Sequence, residues 1–213
     1  MTPTPAPSPW RAGHRGARLR RWLHREALPM ICLLALLLVA RSSLANHYYV
    51  PSGSMEPALA PGDRVVVDMR AYGLRVPFSQ LTLWPGDPLA PGDVVVFRSP
   101  SDNVRLIKRV VAVAGDRVDL VDGRLAINGR PLAAQPGGPE DFGDVQVVLN
   151  LDDGGGPDLR DLVVPDGQVL VLGDHRGASI DGRYFGFVPA ASIYGQARGV
   201  FWRSGEGFGW HRL

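Results

Sequence analysis

The chain has 213 residues, 45% hydrophobic and 21% charged, which suits one domain of ordinary size plus an appendage and excludes a disordered or fibrous protein. Its single cysteine, Cys32, excludes an internal disulfide framework and a cysteine-based zinc cluster. The net charge of +2 conceals an asymmetry: residues 1–26 carry six arginines against one glutamate, whereas residues 42–213 carry fifteen arginines and one lysine against twenty acids. The basic character therefore belongs to the leader, and the body gives no reason to expect a nucleic-acid partner.

Residues 2–9 are rich in Pro, Ser and Thr and read as disordered. Arginines 11, 15, 18, 20, 21 and 25 follow, giving a basic tail over 1–26, and then an apolar run from Ala27 to Ala40. Fourteen residues span about 21 Å as a helix, short of a hydrocarbon core of about 30 Å. Extension through Arg41 to Ala45 gives about 28 Å, with Arg41 near enough to the outer end to snorkel. Two readings compete: a retained signal-anchor over 27–45 under the positive-inside rule, or a signal peptide cut after Ser43-Leu44-Ala45. Both put residues 46–213 outside the cytoplasm.

The body repeats a Pro/Gly/Asp turn followed by a β-branched run. Pro61-Gly62-Asp63 leads into Arg64–Asp68, Pro91-Gly92-Asp93 into Val94–Phe97, Gly115-Asp116 into Arg117–Val121, and Pro165-Asp166-Gly167 into Gln168–Leu172. Proline presets φ for the first central turn position and glycine accepts the positive φ of the second. Asp122-Gly123 between Val118–Val121 and Leu125–Ile127 is a hairpin signal. Further strands are predicted at Val104–Ala114, Val145–Leu149 and Tyr194–Trp202. No long stretch after residue 46 has helical periodicity, so the fold class is mainly β: antiparallel sheets and hairpins. Residues 71–90 and 128–162 read as excursions from this core. The second contains Asp152-Asp153-Gly-Gly-Gly156, but it lacks the regular Asp spacing and closing Glu of a calcium loop, so no metal is predicted.

Two features carry chemistry. Of the 23 basic side chains 22 are arginine, and Lys108 is the sole lysine. Arginine effectively never deprotonates, whereas a buried lysine can lose its proton and act as a base. In Asn103–Ala114, strand alternation points Leu106, Lys108 and Val110 to one face and Ile107 and Arg109 to the other, leaving Arg109 as a structural charge. The second feature is Val50-Pro-Ser-Gly-Ser-Met-Glu-Pro-Ala-Leu59, where two serines flank a glycine on a tight turn. One hydroxyl can attack while the other hydroxyl and a backbone N–H face the developing oxyanion. Together they suggest a Ser/Lys dyad. A Ser-His-Asp triad is the competing chemistry: His47 is too near Ser54 in sequence to fold back, while spacing leaves His175 open.

Pro51–Leu59, Pro91–Phe97, Ile107–Val110 with Ala114-Gly-Asp116, and Gly173-Asp-His-Arg…Ser179-Ile-Asp-Gly-Arg-Tyr-Phe-Gly186 occur in order. In these four blocks the chain resembles bacterial type I signal peptidase. The resemblance implies Ser54 as nucleophile, Lys108 as general base, and Ser52 with the Ser54 amide as oxyanion hole. It further implies that Ser179 orients the lysine, that Asp181 and Arg183 form a supporting pair, and that Asp174 and Arg176 hold the last turn. Tyr48, Val50, Met55, Leu59, Leu106 and Ile107 would line shallow apolar substrate pockets. The chain departs from the family at His175, where asparagine is usual, at Gly177, and at Ala58, where threonine is usual.

The resemblance also implies a retained anchor, with the N-terminus cytoplasmic and the catalytic domain on the outer face of the cell membrane. The partners would be signal-peptide-bearing preproteins and membrane lipid, near the export machinery, with no cofactor. Self-cleavage after Ala45 stays an alternative. Phe78, Leu81, Leu83 and Trp84, with Phe201 and Trp202, could dip into a bilayer interface or pack in the core. Three rival readings stand beside this one. The first is a self-cleaving Ser/Lys repressor, for which no DNA-binding helix-turn-helix is visible. The second is a secreted β-rich binding module. The third is a maturase for one dedicated substrate, such as a conjugation-pilus subunit.

Overall fold

The computed structural model describes residues 23–34, 45–75, 82–84 and 86–213. The chain divides after Ser42 into two units. In the first, Leu23–Ala27 form a π-helical turn and residues 28–34 are α-helical. No helix among the described residues is long and apolar enough to cross a membrane. Most of the apolar run assigned to an anchor, residues 35–44, lies outside them, as does the tail over 1–22.

The second unit is built of short strands: β1 Ala45–Tyr49, β2 Arg64–Asp68, β3 Leu74–Arg75, β4 Thr82–Trp84, β5 Val94–Arg98, β6 Arg105–Val113, β7 Arg117–Val121, β8 Arg124–Ile127, β9 Arg130–Pro131, β10 Glu140–Asp141, β11 Gln146–Val147, β12 Leu159–Val163, β13 Gln168–Leu172, β14 Val188–Pro189, β15 Gly195–Arg203 and β16 Gly207–Arg212. The principal sheet runs β1-β2-β15-β5-β6-β13-β14, with β16 on β15, and a second sheet runs β12-β7-β8-β9. Every strand pair among the described residues is antiparallel. The only α-helix described in this unit is one turn, Gly182–Phe185.

The turn chemistry accounts for much of this. Asp122 and Gly123 both adopt positive φ, 50° and 76°, which is the backbone a two-residue hairpin needs to match the strand twist. The β-branched runs then bury alternate faces: Val65 and Val67 of β2, and Val118 and Leu120 of β7, are all fully buried. Strand β5 is buried from Val94 to Phe97, on both faces of the sheet. One core cluster joins Val50, Met55 and Leu59 to β2, β5 and β15, another packs β7 and β8 against β13, and a third gathers around Phe97 and Val171.

The excursions are more ordered than composition suggests. Residues 71–90 contain the β3–β4 hairpin, and Tyr72 at its base donates to Asp93 at 2.9 Å. Phe78 and Leu81 lie outside the described residues. Residues 128–162 add β9 to the second sheet and a β10–β11 ribbon, and the strand expected at Val145–Leu149 contracts to Gln146–Val147.

Candidate active site

The serine turn is held by its flanks. Val50 donates its N–H to the Asp63 carbonyl and accepts from Gly62, both at 2.9 Å, while Leu59 N–H closes back on the Met55 carbonyl at 2.9 Å. The buried Asp63 carboxylate accepts from the backbone of Ala60 and Ser204, each at 3.0 Å. Met55 and Leu59 sink into the core on either side. The polar residues between them are left facing outward: Ser52 is exposed and Ser54 half-buried.

Lys108 reaches this turn from β6, where it pairs with Val95. It is 2% exposed, and its Nζ lies 2.5 Å from Ser54 Oγ. Burial lowers the lysine pKa to about 8; Asp181 and Asp174 oppose the shift and Arg183 assists it. At that value a substantial fraction of the amine is neutral in mildly alkaline solution, with a lone pair free to accept the hydroxyl proton. Ser52 Oγ stands 3.5 Å from Ser54 Oγ, at the outer limit of a hydrogen bond.

The segment 173–183 wraps behind both residues. Ser54 O accepts from the His175 N–H at 3.2 Å, and Gly173 donates to Asp181 at 2.9 Å. A side chain at position 173 has no room: a Cβ there would fall 2.3 Å from Ser179 Oγ and 2.4 Å from Ser54 O. Asp181 binds Arg183 through both oxygens at 2.8 Å, and Arg183 continues to the carbonyls of Gly155 and Arg176 at 2.7 and 2.6 Å. Arg109 makes a buried bidentate pair with Asp174, at 2.9 and 2.7 Å. Arg176 is fully buried against Glu140 at 2.6 Å and also donates to the Gly123 carbonyl.

The chain thus brings Ser54, Lys108, Ser52, Asp174, Asp181 and Arg183 to one locality. The hydrogen bond from Ser179 to the lysine is not formed. Ser179 Oγ is buried and has no hydrogen-bond partner. His175 meets Ser54 only through its backbone. Its ring lies 3.0 Å from Asp153 Oδ2 and 3.7 Å from Glu56 Oε2, but neither contact has hydrogen-bond geometry. His47 stands on β1 with its ring edge-on to Phe201. The titratable group within bonding distance of the Ser54 hydroxyl, among the described residues, is the lysine amine.

A cleft of about 750 Å³ opens over the serine and lysine. Tyr48, Val50, Met55, Leu106 and Ile107 line it, as the resemblance implies, whereas Leu59 does not and instead packs fully buried in the core. Tyr49, Val104, Arg105, Ala178 and Ile180 also line it, and sequence reasoning did not single them out. Tyr49, Val104 and Ile180 are exposed, the signal of an apolar rim, yet in sequence they look like ordinary strand and loop residues. Phe201 and Trp202, on β15, are half-buried, with Trp202 edge-on to Phe208 at 4.7 Å between ring centroids.

Comparison with known proteins places the chain in a family. The family model for signal peptidase, peptidase S26, matches residues 20–202. Signal peptidase I of Pseudomonas aeruginosa is 36% identical over 197 residues, covering 79% of this chain and 69% of that protein. The probable signal peptidase I-1 of Synechocystis sp. is 32% identical over 206 residues, covering 92% of this chain and 86% of that one. A solved signal peptidase I from Enterococcus faecalis V583 shares 29% identity at a TM-score of 0.38, over 52% of this chain and 97% of that chain. Such extent and identity, over the blocks that build the serine turn and the lysine strand, establish that the chain belongs to the signal peptidase family, peptidase S26, and is a type I member and a serine endopeptidase.

Proposed function

We propose that this enzyme removes signal peptides from exported preproteins with a Ser54/Lys108 dyad while tethered to the cell membrane through residues 27–45. The supporting observation is the 2.5 Å contact between a buried amine and a half-buried hydroxyl. Neutral Lys108 takes the Ser54 proton as Oγ attacks the carbonyl that follows a small residue. The Ser54 N–H and the Ser52 hydroxyl stabilise the oxyanion. Lys108 then protonates the leaving amine, and later removes a proton from the water that hydrolyses the acyl-enzyme. Asp181, Arg183, Asp174, Arg176 and Arg109 support the site through their ion pairs. Ser179 packs beside Gly173 behind it.

The substrate lies extended in the cleft. Residues 109–113 of β6 pair with β13, but 105–108 pair only with β5, so their other edge is free to accept a strand. Tyr48, Val50, Met55, Leu106 and Ile107 form the walls of shallow apolar pockets for small side chains at P1 and P3, as the family resemblance implies. The tether brings this cleft to preproteins emerging from the export machinery, at the lipid surface.

The test uses the full chain in detergent micelles with a purified preprotein. Ser54→Ala and Lys108→Arg should each lower cleavage about a thousandfold or more, because arginine keeps the charge but cannot accept the proton. Full activity in Lys108→Arg would refute the base assignment. Ser52→Ala should cost between about tenfold and a thousandfold in kcat.

A further inference from the structure

Arg98 and Arg105 face one another across β5 and β6, a directly opposed pair in the antiparallel register. Like charges so placed repel and destabilise the sheet. Neither guanidinium has a carboxylate within ion-pair distance among the described residues, although the body carries an excess of acids. Arg98 is exposed and donates to the Asn103 carbonyl at 3.0 Å.

Arg105 is held more firmly. Its guanidinium carbon lies 4.4 Å from the centre of the Tyr48 ring, and its Nε donates to the Tyr194 hydroxyl at 3.0 Å. Stacking on one tyrosine and bonding to another fix the planar fork in advance, which reduces the entropy lost when it binds a ligand. The terminal nitrogens make no hydrogen bond to the described residues, and the residue lines the cleft. It also stands on the free edge of β6, three positions before Lys108, which is about 10 Å along a strand.

We propose that Arg105, reinforced by Arg98, is a specificity-determining residue that binds the carboxylate of an Asp or Glu three or four residues from the scissile bond. Resting on the extended substrate and Ser/Lys centre argued above, this names a substrate class: preproteins with an acidic side chain near the cleavage site. A fixed guanidinium fork matches a carboxylate with two parallel N–H···O bonds, and the second arginine strengthens the field there. A lysine at the same substrate position meets repulsion from both.

The test compares peptides carrying Asp, Asn or Lys at the third and fourth positions on each side of the cleavage site, cut by the full chain in neutral detergent. The ratio of kcat/KM for Asp over Asn, taken within each variant, should be about threefold to fivefold for the wild type at one of these positions. Arg105→Gln should bring it to about one, Arg105→Glu should reverse it in favour of Lys, and Arg98→Gln should reduce it partway. Raising salt from about 50 to 500 mM should flatten the wild-type ratio, because exposed charges are screened. A ratio near one at every position, or one unchanged in Arg105→Gln, would overturn the proposal. A charge preference seen only with anionic lipid vesicles present would assign the pair to a bilayer surface and overturn it equally. If no peptide of the set is cut, the Ser/Lys reading fails as well, a result distinct from a flat ratio on peptides that are cut.

Discussion

Lys108 carries opposing demands from folding and chemistry. Its pKa in the fold is about 8, below the ordinary 10.5. Below pH 8 both folded and unfolded chains hold the proton, and the fold bears the whole cost of burying a cation. Between pH 8 and 10.5 the unfolded chain binds more protons than the folded one, so stability should rise with pH across that window. Replacing the lysine with an uncharged isostere, Lys108→Met, should therefore stabilise the protein at pH 7 by about 3 kcal/mol while eliminating cleavage. Denaturant titration of the two proteins checks this, and an equal or lower midpoint for the variant refutes it. Activity should show the same ionisation, with kcat/KM climbing as pH rises through about 8. Composition alone singles this residue out, since arginine fills the other 22 of the 23 Lys and Arg positions, while its proposed role also needs the strand and the serine turn. The neighbours that oppose the shift are not legible: Asp174 and Asp181 lie far along the chain, and only folding brings them near the amine.

Among the elements, the 173–183 segment fixes the tolerance of the site. Gly173→Ala would drive a methyl group into Ser179 and the Ser54 carbonyl, so it should cost activity by a factor of about a hundred or more through misplacement of the serine. Loss confined to KM, with kcat intact, would contradict that account. Glu140→Ala should cost about 3–5 kcal/mol in thermal or chemical denaturation, because it leaves the buried Arg176 without its carboxylate. The strands on either side were readable from valine-rich runs after Pro-Gly turns, and the Asp122-Gly123 hairpin from its dipeptide. Asn128-Gly129 carries an equally strong signal, with φ of 52° and 76° at the β8–β9 turn, yet it sits in a polar stretch that reads as loop. Glu140 escaped for another reason. Its partner is 36 positions away, and no local pattern marks an acid as the counter-ion of a distant arginine.

For the molecule as a whole, the chain divides after Ser42 into two units, and the tether proposed above predicts that the body alone keeps the chemistry. A chain shortened to residues 46–213 should still cut small peptides in detergent, but it should process membrane-inserted preproteins more slowly by an order of magnitude or more, through lost effective concentration. Equal rates on both substrates would remove the tether from the account. The overall sheet class was legible because Pro/Gly/Asp turns followed by β-branched runs repeat along the body. The rim of the cleft was not, because it is assembled from three distant segments around Tyr49, Val104 and Ile180. The scarcity of lysine across all 213 residues also has a practical consequence. Apart from the α-amine, the chain offers acylating or carbamoylating reagents one primary amine, at the bottom of the working cleft. A reagent small enough to enter should silence the enzyme in a single event at Lys108, and the mass gained by the peptide containing that residue should count functional copies directly.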